Sequence, residues 1–395
     1  TAMIDRPVYF EHISRKAAQR WAQLEKDPEL AGPWRQLFNQ VQIPRHVLSE
    51  LLQNADDAEA NEASVDIDGD EFVFSHNGHD FIEEHFASLC SFGYSNKRAL
   101  HTIGFRGVGF KSTFSLGDEV RLYTPTLSVA FHRRRFTEPV WIERNGSLSH
   151  RTEIRVPIKD DHRRRELERN MEEWRQNSAS LLFLRCIRCL RIGGQEVRWV
   201  SKGSGPVKNS EWMALSTNPD TEYLLLRSVA ENFPDDTIEE IREERMLSTA
   251  ELTSFPPCRV EIILGMEGRL FVILPTGVNT KLPFACNGPF LQDPGRLKIK
   301  APEISPTNRW LLQRAGELAA KSMLQWLRRK DLDIEDRCKA YALFPDVDRR
   351  DSSLEGCCAK IVEEAFEETV TNEKFLLTEN QTLVPSEQCI SVPHD

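Results

Sequence analysis

One stretch, Glu50-Leu51-Leu52-Gln53-Asn54-Ala55-Asp56-Asp57-Ala58, restricts this chain more than any other. Pro44 stands where a helix would begin, because its missing N–H is harmless at the first helical position. Val47, Leu48, Leu51, Leu52, Ala55 and Ala58 follow at helical spacing and make one apolar face. Glu50, Asn54 and Asp57 fall at i, i+4 and i+7, on a different stripe of the same helix. A helix held on a core by one side presents these carboxylates and this amide rigidly on the other, which is the support reactive groups need. Taken alone, the pattern also describes an amphipathic helix with a solvated polar face.

Further along comes Ile103-Gly104-Phe105-Arg106-Gly107-Val108-Gly109-Phe110-Lys111-Ser112. Gly104, Gly107 and Gly109 precede a run, Phe110 to Leu116, that can continue as a helix. Glycines let the backbone approach an anion closely, and a helix N-terminus offers unpaired N–H groups and a positive dipole end. The spacing is not that of the P-loop, which needs four residues between Gly and Gly-Lys-Ser/Thr. No βαβ pattern surrounds it, so it is no dinucleotide fingerprint either.

Together the two motifs resemble the ATP-binding fold shared by gyrase, the heat-shock chaperone ATPases, histidine kinases and MutL, called GHKL. The closest likeness is to the chaperone branch and its sacsin-type relatives. The resemblance implies an α+β chain, with a two-layer α/β sandwich of the GHKL ATPase type over residues 1–160. It implies ATP and Mg2+ as ligands, Glu50 as general base and Asn54 as the magnesium ligand. Asp57 would stand behind them or join the nucleotide pocket. Gly104, Phe105, Arg106, Gly107, Val108, Gly109, Phe110 and Lys111 would close on the terminal phosphates. Lys97 and Arg98, in a stretch suited to a lid, read better as solvated.

Ser64 to Asp68 and Glu71 to Ser75 alternate apolar and polar residues around Asp68-Gly69, a β-hairpin signal. The hairpin ends in His76-Asn77-Gly78. The resembled family has Asp-x-Gly-x-Gly there, and its Asp reads the adenine amino group; here His76 takes that place and Asp80 replaces the second glycine. His76 could accept from an amine only as the neutral tautomer, and the Asn77 carbonyl is the alternative. A polar turn that binds nothing is the plainer reading. Thr152 opens an alternating strand, where a matching Thr in the chaperone ATPases supports water near adenine. Further strands are expected at Glu119 to Thr124 and Ser128 to Arg133, with helices at residues 11–26 and 82–92.

A chain of 395 residues suggests two or three domains. Residues 161–330 read as a second, middle-like α/β domain. By the same resemblance it would supply a trans-domain arginine to the γ-phosphate, and Arg296 is the candidate, with Lys298 and Lys300 behind it. A surface arginine in a loop is the alternative. Ser305-Pro306 starts a long helix, and residues 331–395 read as a small helical and hairpin module for packing or partners.

The net charge of −10 argues against a chain-wide nucleic-acid surface. The runs His132–Arg135 and His162–Arg165 are solvated faces or contacts for an anionic partner. Nine cysteines, an odd number, read as reduced thiols in a cytoplasmic protein. Cys186-Ile187-Arg188-Cys189 lacks a second pair or nearby histidines and reads as alternating core and surface. No apolar run approaches the ~18 residues of a spanning helix. The chain opens Thr1-Ala2-Met3, and it reads as a fragment of something longer.

The expected function is a slow ATPase that times an open–closed cycle, as a chaperone-like switch, the motor of a larger protein, or part of a bacterial anti-phage defence complex. Its partners would be clients, other subunits, or a second copy in a nucleotide-dependent homodimer, with no membrane and no direct nucleic-acid contact. A non-hydrolysing, nucleotide-regulated scaffold and a DNA-processing ATPase of the MutL or gyrase kind are the alternatives.

Overall fold

The structure, a computed structural model, describes residues 5–40, 42, 47–91, 110–144, 150–244, 257–272, 274–293 and 298–388. The chain forms two compact units, 1–199 and 200–395. Together they make a mixed α/β protein.

In the first unit, α1 (Val8–Lys26) buries Phe10, Ile13, Ala17, Trp21 and Leu24, the stripe its periodicity announces. It is followed by α2 (Pro28–Gln40) and α3 (Val47–Asp57). The hairpin is β1 (Glu62–Asp68) and β2 (Glu71–His76), paired antiparallel across Asp68↔Glu71. After α4 (Glu83–Leu89) come a 3-10 helix (Phe110–Ser115), β3 (Glu119–Tyr123), β4 (Ser128–His132), β5 (Arg135–Trp141) and β6 (Thr152–Pro157). Then α5 (Asp161–Gln176), begun by the Asp160 side chain accepting from Arg163 N, leads to β7 (Cys189–Ile192) and β8 (Gln195–Ser204).

These strands lie in the order β8-β7-β1-β2-β6-β3-β4-β5. All neighbours are antiparallel except β1 and β7. Residues 161–199, expected within a second domain, thus belong to the first unit, where β7 closes the sheet beside β1.

β2 and β6 alternate between buried and half-buried residues, so one face of the sheet is covered. Phe72, Phe74, Ile154 and Val156 point into the core. The other face carries a cross-strand ladder in which Arg121 pairs with Glu119 and Glu71, and Arg155 with Glu71 and Glu153. Four arginines of the two basic runs bond this unit's own acids and carbonyls. Arg133 bonds Asp118 and Phe114 O, Arg135 bonds Glu25 and Glu138, and Arg163 and Arg164 bond Asp160 and Gly69 O.

In the second unit, β9 (Ser210–Leu215), β10 (Asn218–Arg227), β11 (Glu261–Val272) and β12 (Leu274–Asn287) form an antiparallel sheet in the order β12-β11-β10-β9. β11 is one continuous strand whose pairing register with β12 shifts between Leu264 and Gly268. Beside it stand α6 (Asp235–Glu244), α7 (Pro306–Leu327), α8 (Ile334–Cys338) and α9 (Leu354–Val370), with a terminal hairpin of β13 (Leu376–Leu377) and β14 (Leu383–Val384). Ser305 caps α7, and the Glu240 carboxylate accepts from Ser305 Oγ and Thr307 N. Gly316 lets α7 and α9 close up, because a Cβ there would collide with the Val362 carbonyl. Among the described residues no helix is long and apolar enough to cross a membrane.

Candidate active site on the acid-amide helix

α3 forms as its pattern dictates, with Val47, Leu48, Leu51, Leu52 and Ala55 buried and Glu50, Asn54 and Asp57 half-buried on another stripe. Its end is built by the backbone. Glu59 takes φ 58°, Glu59 N–H bonds Asp56 O at 3.0 Å, and Ala60 N–H bonds Ala55 O at 3.0 Å. That is a Schellman stop with glutamate where glycine is usual.

The turn after β2 fits under this helix end. His79 N–H donates to Ala58 O at 2.7 Å, and a Cβ on Gly78 would stand 2.6 Å from that oxygen. Only glycine lets the His76-Asn77-Gly78 turn come so close. The structure therefore brings the predicted turn against the predicted helix.

His76 is buried, and its Nδ1 accepts from Gly78 N–H at 3.0 Å. Asn77 is exposed. Its Oδ1 accepts from Asn61 N and Glu62 N, each at 3.0 Å, and its Nδ2 donates to Asn61 Oδ1. The carbonyl expected as an alternative base reader is thus used to tie the turn to β1. Thr152 stands opposite His76 in the β2–β6 pairing. It is 2% exposed, and its hydroxyl has no hydrogen-bond partner among the described residues.

The 3-10 helix packs against α3, and Phe110 and Lys111 lie buried within it. It is tighter than the α-helix expected from Phe110 to Leu116. Lys111 Nζ donates to Ser91 O at 2.7 Å, and burial pushes its amine down to about 7. Gly104, Phe105, Arg106, Gly107, Val108 and Gly109, and Arg296, lie outside the described residues.

Sequence reasoning passed over Asp56. It is 4% exposed, and its carboxylate accepts from Arg185 N, Cys186 N and Ile187 N at 2.9, 2.7 and 3.0 Å. Arg185 Nη2 then reaches Asp57 Oδ1 at 3.1 Å. A signal was present, since Asp56 lies four residues past Leu52 and eight past Leu48, on the apolar face. A charge placed there has to find buried donors. Cys186 and Cys189 flank this loop with their thiols pushed up by burial, which disfavours the reactive thiolate.

The arrangement is chemically specific. A carboxylate and an amide one turn apart share a partly sheltered helix face, and the adjoining sheet face ends in a histidine and a buried hydroxyl. Such a set can orient a water, offer hard oxygen donors to a divalent cation, and hold a polar ligand. No protein-family model matches the chain, and no curated protein matches it.

Proposed function

We propose that the chain is an ATP-binding and hydrolysing conformational switch of the GHKL type, resembling the chaperone and sacsin-like ATPases. The observation that carries this reading is the junction just described. Glu50, Asn54 and Asp57 share one half-buried stripe of α3, and the Gly78 turn packs against the end of that helix, beside His76 and Thr152.

Glu50 orients a water and takes its proton as the water oxygen bonds the γ-phosphorus and the bond to the ADP oxygen breaks. The products are ADP and phosphate, and Glu50 then returns the proton to solvent. Asn54 supplies a hard amide oxygen, which suits magnesium. Among the described residues no three His, Cys, Asp or Glu side chains cluster as a metal site. Phosphate oxygens and water would complete the coordination shell beside Asn54. Bound there, magnesium would neutralise charge on the phosphates. Asp57, fixed by Arg185, and Asp56, fixed by the 185–187 backbone, hold the helix end rigid behind these groups.

Phosphate release tests this directly. Glu50→Ala is expected to keep nucleotide affinity and to lose turnover by roughly 10²- to 10⁴-fold. Turnover equal to wild type would remove Glu50 as the base. His76 and Asp80, standing where the family has Asp and Gly, favour one second reading, a nucleotide-regulated scaffold that does not hydrolyse. Wild-type protein that binds nucleotide and releases no phosphate would establish it.

A further inference from the structure

Three Asn-Gly pairs occur in the sequence, at 77–78, 145–146 and 287–288. Such a pair can close on itself. The backbone nitrogen after an asparagine lies within reach of that asparagine's side-chain carbonyl carbon, and glycine puts no side chain in the way. Ring closure is helped by a base that takes the N–H proton and by donors that hold the charge developing on the carbonyl oxygen. The turn after β2 has both.

The base is His76. Gly78 N–H can only donate, so His76 Nδ1, 3.0 Å away, accepts from it. That is within the reach a general base requires. The donors are Asn61 N and Glu62 N, each 3.0 Å from Asn77 Oδ1. A pair of backbone N–H groups aimed at one carbonyl oxygen is an oxyanion hole. The residue is held there, because Asn77 N–H donates to Glu62 O at 3.3 Å and Asn77 Nδ2 donates to Asn61 Oδ1. Asn77 is exposed, so water reaches it. The pair at 287–288 is built differently. Gly288 N–H donates to Phe271 O at 3.1 Å, a peptide carbonyl that is no base, and Asn287 is buried. Asn145 and Gly146 lie outside the described residues.

We propose that Asn77 is a site of self-catalysed deamidation, in which His76 drives closure of a succinimide between residues 77 and 78. Gly78 N bonds Asn77 Cγ while its proton passes to His76 Nδ1. The Cγ–Nδ2 bond then breaks, and the proton returns to the departing nitrogen, which leaves as ammonia. Water adds to either imide carbonyl and opens the ring, giving an aspartyl or an isoaspartyl linkage. One water is consumed for each ammonia released. Both products lose the Nδ2 donor that holds Asn61 Oδ1. The isoaspartyl form also adds a methylene to the main chain beside Gly78, where a Cβ would already stand 2.6 Å from Ala58 O. The modification therefore acts on the joint between this turn and the end of α3. It does not depend on the nucleotide reading above.

Peptide mapping by mass spectrometry tests this on the intact chain, aged at neutral pH both folded and unfolded in guanidinium chloride. The unfolded chain keeps the Asn-Gly pair and loses the base and the donors. Residue 77 is expected to deamidate about tenfold or more faster in the folded chain than in the unfolded one. It should also outpace residue 287 of the folded chain and give isoaspartyl as well as aspartyl product. His76→Gln keeps a hydrogen-bond acceptor and removes the base. It is expected to slow the folded rate at 77 about tenfold or more and to leave the unfolded rate unchanged. Should His76→Gln fail to fold by circular dichroism, the folded and unfolded rates of wild type decide alone. A folded rate at 77 no greater than the unfolded rate, an unchanged rate in folded His76→Gln, or an aspartyl product alone would overturn the proposal.

Discussion

Lys111 shows how much a single placement matters. Its amine is wholly buried, bonded to Ser91 O, and pushed down to about 7 from an ordinary value of 10.5. Between those two values the unfolded chain holds a proton that the folded chain has lost, so stability rises with pH. Below about 7 both states are charged and the full cost of burying the ammonium is felt. One proton corresponds to about 1.4 kcal/mol per pH unit. The neighbouring Cys90 thiol, pushed up by burial, acts in the opposite sense, but only as the unfolded thiol ionises near 9. The clean window is therefore pH 7 to 8.5, where wild type should gain about 1 to 2 kcal/mol. Urea midpoints should show Lys111→Met without that gain. An equal gain in the variant would mean that Lys111 is not the titrating group.

At the level of elements, the joint between α3 and the turn after β2 is what positions the site. Gly78→Ala puts a methyl 2.6 Å from Ala58 O, so helix end or turn must shift. The expected cost is about 1–3 kcal/mol, read from urea unfolding, together with weaker nucleotide binding. An alanine variant with wild-type stability and affinity would mean that the close approach is unimportant. Much of this layer was legible in the sequence because it is local. The Asp68-Gly69 hairpin, the stripe of Glu50, Asn54 and Asp57, and the Ser305 cap of α7 each depend on residues a few positions apart. What escaped depends on distant partners. β5 carries Pro139 and three non-apolar neighbours and sits at the sheet edge, where proline is tolerated and periodicity is weak. β7 pairs with β1 across most of the unit's length, which no local spacing announces. The role of Asp56, the commitment of Asn77 and the burial of Thr152 opposite His76 follow only once residues 185–187, 61–62 and β2 arrive beside them.

For the whole molecule, the two compact units divide at residue 199, and the helix, turn and sheet end that make the candidate site all belong to the first. That unit has its own covered sheet face and its own buried helices, so a chain ending at 204, the last residue of β8, should unfold in one cooperative transition. It should also keep nucleotide affinity. A fragment that shows no cooperative transition in urea would contradict this division. The account as a whole stands on α3 presenting Asn54 and Glu50 to a magnesium–triphosphate. The most direct test is calorimetric titration of wild type and Asn54→Ala with nucleoside triphosphate, with and without magnesium. The account predicts magnesium-dependent binding by wild type and its loss in Asn54→Ala; the same affinity in both proteins, or none in wild type, would contradict it.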